Sequence, residues 1–333
     1  MRKQLLAIAA MPFVFAALAA PDDAGAASLG VYTYAVSAQS NVGVGGPTAT
    51  FAANYPGGFS GKFYPTTDGT AVGDEHYVTG SSGTIAASSS ASGGGNSVYG
   101  LWSSADQSSA WATFGELGAY ASGSSSGGGD YNSLRGSQAF ALARETFTFG
   151  GGSGIGVFRP TFTIEGNFTN DQTGLQLEFD YRVNDEPTFL GYRIQQDGTG
   201  GLSLYYNGYV ASLPGLTVTS NSVTGAAQIS FDVAFVFGTP FDVTTALYAA
   251  VLPYRLGATT GTVDFASTAR MTGISILQNG TALQDFTVTS GSGTVYTAQG
   301  AQVPLPASGA LLGAAFGIAG AFRRRANHRG IQG

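Results

Sequence analysis

The chain has 333 residues, 14 basic against 20 acidic, a net charge of −6, 43% hydrophobic side chains and no cysteine. Disulfide bracing and thiol chemistry are therefore excluded, and an acidic body without a Lys/Arg patch, once the termini are set aside, repels a nucleic-acid backbone. Charged residues reach only 10%, so the chain is too apolar to stay disordered throughout.

The first element is a leader. Arg2 and Lys3 precede an uncharged run from Leu5 to Ala20, followed by two small-residue patterns, Ala17-Leu18-Ala19 and Ala24-Gly25-Ala26. A basic start, an apolar centre and a small-residue end define a secretory signal peptide over 1–26, with cleavage expected after Ala26 or, alternatively, Ala19. A retained N-terminal anchor is the plainer alternative. Residues 27–302 then form a body with 8 basic and 18 acidic residues, about ten charges negative. That length suffices for one large all-β domain or two smaller ones.

The body reads as strands. Ser81 to Asn96 and Ala121 to Ser137 are Gly/Ser-rich, either long surface loops or strands with small side chains. Ser109 to Tyr120 and Thr244 to Val251 fit a short helix or a strand equally well. Phe158, Phe162 and Ile164 alternate with Arg159, Thr161 and Thr163, and Leu175 to Val183 alternates without a break. The latter places Leu175, Leu177, Phe179, Tyr181 and Val183 on one face and Glu178 and Asp180 on a solvated opposite face. Ile229, Phe231, Val233, Phe235 and Phe237 repeat the pattern. Asp197-Gly198, Asn207-Gly208 and Asn279-Gly280 mark turns between runs. Many short strands with glycine turns predict an all-β fold, a β-sandwich of jelly-roll type. A single domain is preferred to a division into 28–121 and 138–300, because no charged or Pro-rich hinge separates them.

Candidates for chemistry are sparse. His76 is the body's one histidine, so a serine triad has a single base to draw on, and Asp74-Glu75-His76 lacks a second histidine or cysteine to complete a metal shell. A surface histidine is the plainer reading. Glu178 and Asp180, with Asp185 and Glu186 nearby, have the spacing of a glycosidase carboxylate pair, although strand alternation already accounts for them. Asp171, Asp185, Asp197, Asp242 and Asp264 could offer oxygens to calcium but lack the D-x-D-x-D-G spacing. Asp68-Gly69 and Asp197-Gly198 read better as turns. Gly150 to Gly154 has no Gly-Lys-Ser/Thr after it and is a hairpin connection, not a phosphate loop. Asn167-Phe168-Thr169 and Asn279-Gly280-Thr281 match the glycosylation pattern incidentally. No catalytic residue, metal or cofactor is expected. Aromatics remain as a binding resource: Tyr205, Tyr206 and Tyr209 near Asn207-Gly208, and Trp102 and Trp111 near Tyr99, could stack on sugar faces or fill the core.

The last element is the tail. Val303-Pro304-Leu305-Pro306-Ala307 opens it, Ala307 to Phe322 is uncharged, and Arg323, Arg324 and Arg325 close it before a short terminus at 326–333. As a helix those 16 residues span roughly 24 Å of a ~30 Å hydrocarbon core, so the segment can cross a membrane, but only just. Pro306 suits a first helical turn, and the arginines would hold that end in the cytoplasm. Gly309, Gly313 and Gly317 clear one helix face for close packing.

This tripartite tail resembles that of the PEP-CTERM class of exported bacterial proteins, in its Val-Pro-Leu-Pro-Ala variant. Leu305 replaces the glutamate of the common form. The likeness covers about a tenth of the chain; a weaker one extends to the strand pattern from Phe265 to Tyr296. The resemblance implies export by the Sec route, an inner-membrane intermediate, recognition and processing by a membrane-embedded exosortase, and delivery to the surface or extracellular matrix of a Gram-negative bacterium, with extracellular polysaccharide as an associated partner. On this reading the protein is a non-enzymatic surface or matrix protein. A carbohydrate-binding sandwich delivered the same way, a carboxylate hydrolase and a simple tail-anchored protein are the alternatives.

Overall fold

The computed structural model describes residues 27–37, 72–97, 100–127, 135–171, 174–184, 190–196, 202–207, 216–220, 226–252, 259–298 and 300–302. The signal segment, the sorting motif, the apolar run with Gly309, Gly313 and Gly317, and the arginine cluster lie outside the described residues. So do Tyr99, Asp185, Glu186, Asp197 and Tyr209.

The described chain is all-β, without helix. In order its strands are β1 (Ser28–Ser37), β2 (Val72–Gly80), β3 (Ile85–Ser97), β4 (Gly100–Thr113), β5 (Glu116–Gly127), β6 (Arg135–Gly150) and β7 (Ile155–Asp171). Next come β8 (Gly174–Val183), β9 (Leu190–Gln196), β10 (Leu202–Asn207), β11 (Thr217–Ser220), β12 (Ala227–Ser230) and β13 (Val233–Val236). The last are β14 (Phe241–Leu252), β15 (Thr259–Gln278), β16 (Thr281–Ala282), β17 (Thr287–Ser290), β18 (Val295–Thr297) and β19 (Gly300–Gln302).

Two antiparallel sheets enclose one core, an arrangement consistent with a β-sandwich. The first sheet runs β10-β9-β8-β14-β6-β1-β2, with β17 also on β6. The second runs β11-β12-β7-β15-β5-β4-β3, with β13 also on β7 and β16 on β15. A two-stranded ladder, β18-β19, stands apart from both. Strands from before and after the Gly/Ser-rich stretch near 128 lie side by side in both sheets.

The core changes character along its length. One end is a wall of phenylalanines: Phe149 touches Phe158 and Phe235 at ring distances of 5.1 and 5.0 Å, and Phe235 stacks on Phe241 at 5.5 Å. The other end uses alanine and serine, with Ala110, Ala112, Ala119, Ala121, Ala139 and Ala141 facing inward and buried. Small side chains there let the sheets close, so that Thr33 on β1 and Ser89 on β3 share a 2.8 Å hydrogen bond across the core. Of the two readings open for Ser81 to Asn96, most of that stretch is a strand with small side chains, β3. Likewise Ser109 to Tyr120 is a β4–β5 hairpin and Thr244 to Val251 lies within β14, both strands.

Turn chemistry follows the sequence. Asn279 and Gly280 both have positive φ, 51° and 79°, the requirement of a type I′ hairpin turn. Gly151 and Gly154, at φ 92° and 70°, lie in the link from β6 to β7, which crosses from the first sheet to the second; the hairpin expected for Gly150 to Gly154 does not form, because the two strands pair with other partners.

One expectation is overturned. Glu178 and Asp180 do not lie on a solvated face; their exposures are 0% and 1%. Cross-strand neighbours explain why. Glu178 is opposite Tyr248, Tyr248 opposite Phe140, and Phe140 opposite Tyr32, and all three of these aromatics are buried. The first sheet thus has two buried faces, which alternation within β8 alone cannot reveal.

Phe149 has no exposure and four aromatic neighbours with ring centroids within 6 Å. Phe149→Ala is expected to lower unfolding free energy by about 3–5 kcal/mol, read as a drop in the denaturant midpoint at unchanged slope.

Candidate functional site

Two places combine polar chemistry with defined geometry, one closed and one open. The closed one centres on Glu145. In β6 the inward row is Ala139, Ala141, Ala143, Glu145, Phe147 and Phe149, all buried, so alternation carries a carboxylate into the core at 4% exposure. The turn between β17 and β18 satisfies it. The backbone N–H of Ser292 donates to Oε1 at 2.9 Å, and the Ser292 hydroxyl donates to Oε2 at 2.5 Å. The Tyr296 hydroxyl also donates to Oε2, at 3.1 Å, while its ring meets Phe147 edge-on at 5.0 Å.

The turn itself is tight. Thr294 N–H donates to Ser292 Oγ at 3.1 Å, the Ser290 hydroxyl donates to the Thr294 carbonyl at 2.8 Å, and Gly291 N–H donates to the Thr146 carbonyl at 2.8 Å. Burial pushes the Glu145 carboxyl above its ordinary value of 4.5, and the three donors only partly offset this. Burial, and then the Glu145 charge, also push the Tyr296 phenol well above its ordinary value. This is a clamp. It fastens the β17–β18 turn to the sandwich, and Tyr296 lies six residues before β19 ends at Gln302.

Beside it, Asp242 is 2% exposed and accepts from Arg144 Nη2 at 2.5 Å, Arg144 Nε at 3.1 Å and the Thr146 hydroxyl at 2.6 Å. Its backbone N–H donates to Asn184 Oδ1 at 3.0 Å. Asp242 therefore locks β6 to β14 and is committed to that ion pair. Asp264 accepts from the Ala266 N–H at 3.3 Å across the bulge in β15. No group of three or more His, Cys, Asp or Glu among the described residues is placed to hold a metal ion.

The open site is a polar cleft of about 460 Å³ at the end where β2, β3, β4 and β5 meet. His76, Ser88, Ser90, Gln107, Ser109 and Tyr120 line it. His76 is exposed on β2, opposite Thr33 of β1.

The remaining sequence candidates are scattered. Glu178 and Asp180 are sealed on the second buried face, and a sugar reaches them only if that face opens. Tyr205 and Tyr206 are consecutive on β10, opposite Arg193 and Tyr192 of β9. Asp171 ends β7, and Asn167 lies on β7. The sequence reading missed Glu145, Ser292 and Tyr296. A signal was present: Glu145-x-Phe147-x-Phe149 sets a glutamate in phase with two core aromatics. No protein-family model, curated protein or solved structure matches this chain.

A carboxyl whose folded value is raised binds its proton more tightly in the native state, so its contribution is complete below about 4.5 and is lost as pH rises through the folded value. Glu145→Gln removes that slope: the difference in Tm between variant and parent should grow in the variant's favour as pH is raised from 4 to 7. Glu145→Ala loses the same slope but strands the Ser292 and Tyr296 donors, and should lie below Glu145→Gln by about 1–3 kcal/mol at every pH in that range.

Proposed function

We propose that the chain is an exported, non-enzymatic surface or extracellular-matrix protein whose C-terminal tail is a sorting signal read and processed by an exosortase. The order of motif, apolar run and basic stop over Val303 to Arg325 is the observation that carries this reading. The signal segment at 1–26 supports it, because it sends the body to the side of the membrane opposite the arginines. The body fits the same role: it is an all-β structure without cysteine whose polar groups, at Glu145 and Asp242, serve to fasten strands. In this proposal both terminal apolar segments are removed from the mature protein.

The short helix argues for a transient rather than a permanent crossing. At roughly 24 Å against ~30 Å of hydrocarbon it is under-length, and a Gly309/Gly313/Gly317 face favours docking against another membrane helix, here the processing enzyme's.

Intact-mass measurement of the protein recovered from its native cell surface tests the proposal. The expected mass corresponds to a chain starting at Ala27, or at Ala20, and ending near the Val303–Ala307 motif. A mature protein that still carries Arg323 to Arg325 establishes simple tail anchoring and removes the exosortase reading. Deleting 303–333 should release the body, uncleaved at its C-terminus, into the periplasm or medium, as immunoblotting of the fractions would show.

A further inference from the structure

The outward row of β4 carries Trp111, between the buried inward residues Ala110 and Ala112. Its cross-strand partner on β5 is Gly118. The indole N–H donates to the Ala266 carbonyl at 2.5 Å, and Ala266 belongs to β15, the strand beyond β5. To reach it from β4 the ring must lie across β5, and Gly118 is what allows this: a methyl group there would fall on the indole and on the Ala266 carbonyl. Trp111 is therefore laid flat along the sheet, fixed at its N–H, with one ring face toward solvent at intermediate exposure.

Tyr120 is the next outward residue on β5, two places beyond Gly118 and opposite Ser109 of β4. Tyr120 and Trp111 are thus diagonal neighbours, a separation of about 7 Å. Tyr120 forms one wall of the 460 Å³ cleft, and the remaining lining consists of serine hydroxyls, the Gln107 amide and His76. Among the described residues no Lys, Arg, Asp or Glu lines it. On the Trp111 side the flanking charges, Arg270 and Glu116, are paired with each other.

We infer that this face is a binding platform for a neutral, hydroxyl-rich polysaccharide. Flat, partly exposed aromatic rings match the C–H faces of pyranose rings, while hydroxyls and an amide can both donate and accept toward sugar hydroxyls. A polyanionic glycan is disfavoured, because the body is about ten charges negative and the described lining carries no guanidinium or ammonium group. The platform does not depend on tail processing; it is a property of the folded sheet.

The test is retention of the full, detergent-solubilised chain on insoluble β-1,3-glucan and on microcrystalline cellulose, with immobilised alginate as the anionic comparison. Retention on at least one neutral glucan, weak retention on alginate, and a tenfold or greater loss in Tyr120→Ala at unchanged Tm are expected. Trp111→Phe, which keeps a ring but loses the Ala266 anchor, should fall in between. The proposal is overturned by absence of retention on both glucans, by equal or stronger retention on alginate, or by a folded Tyr120→Ala that binds as the parent does. Self-association that Tyr120→Ala abolishes, without glucan retention, would assign the face to a second copy of the chain and also overturn it. Because the assay uses unprocessed chain and the mass measurement reads only cleavage, either result stands without the other.

Discussion

Closure of two sheets over a phenylalanine wall is the constraint on which the rest of the structure depends. With no disulfide in the chain, Phe147, Phe149, Phe158, Phe235 and Phe241 hold the strands of β6, β7, β13 and β14 at one end of the core, each pair within about 6 Å. At the other end alanine and serine bring the sheets together. The graded core sets the depth of the sandwich at each point, and both polar features occupy positions the gradient dictates. The Glu145 clamp lies beside the aromatic end, where Tyr296 of β18 meets Phe147 edge-on. The open cleft lies at the thin end, where β2 and β3 come together.

Glu145 shows how one row of side chains can serve two purposes. Its neighbours at i−2 and i+2, Ala143 and Phe147, pack in the core, and its own carboxylate organises a turn far along the chain. Desolvation works against the charged form, and three donors from 292 and 296 work for it. Desolvation prevails. The result is a contact whose strength depends on pH although neither partner is histidine.

The fold class was legible because period-2 alternation is written locally, and the Asn279-Gly280 turn because its residues specify positive φ. What was not legible depends on pairing. Glu178 and Asp180 look solvent-facing within β8, and only the register that sets Tyr248, Phe140 and Tyr32 beside them explains their burial. Trp111 was visible as an aromatic of undecided role; its orientation follows from Gly118 and Ala266, 7 and 155 residues away in sequence. Gly/Ser-rich β3 could not be told from a loop, since small side chains produce no amphipathic contrast. The aromatics near Asn207-Gly208 drew attention by density alone, whereas the glycine opposite Trp111 is the more informative residue.

The final turn also has a mechanical meaning. A protein held to a surface through its C-terminus takes its load at Gln302, and β19 is a ladder of three residues paired only to β18. Pulling there opens that ladder one rung at a time, the weak loading geometry for a β-pair. Next come the Ile274 N–H, which donates to the Ala298 carbonyl at 3.1 Å and ties the β18–β19 turn to β15, and then the Ser292–Glu145–Tyr296 contacts to β6. Under such a load the three-residue ladder is the first contact to part, and the contacts to β15 and to Glu145 are met only behind it.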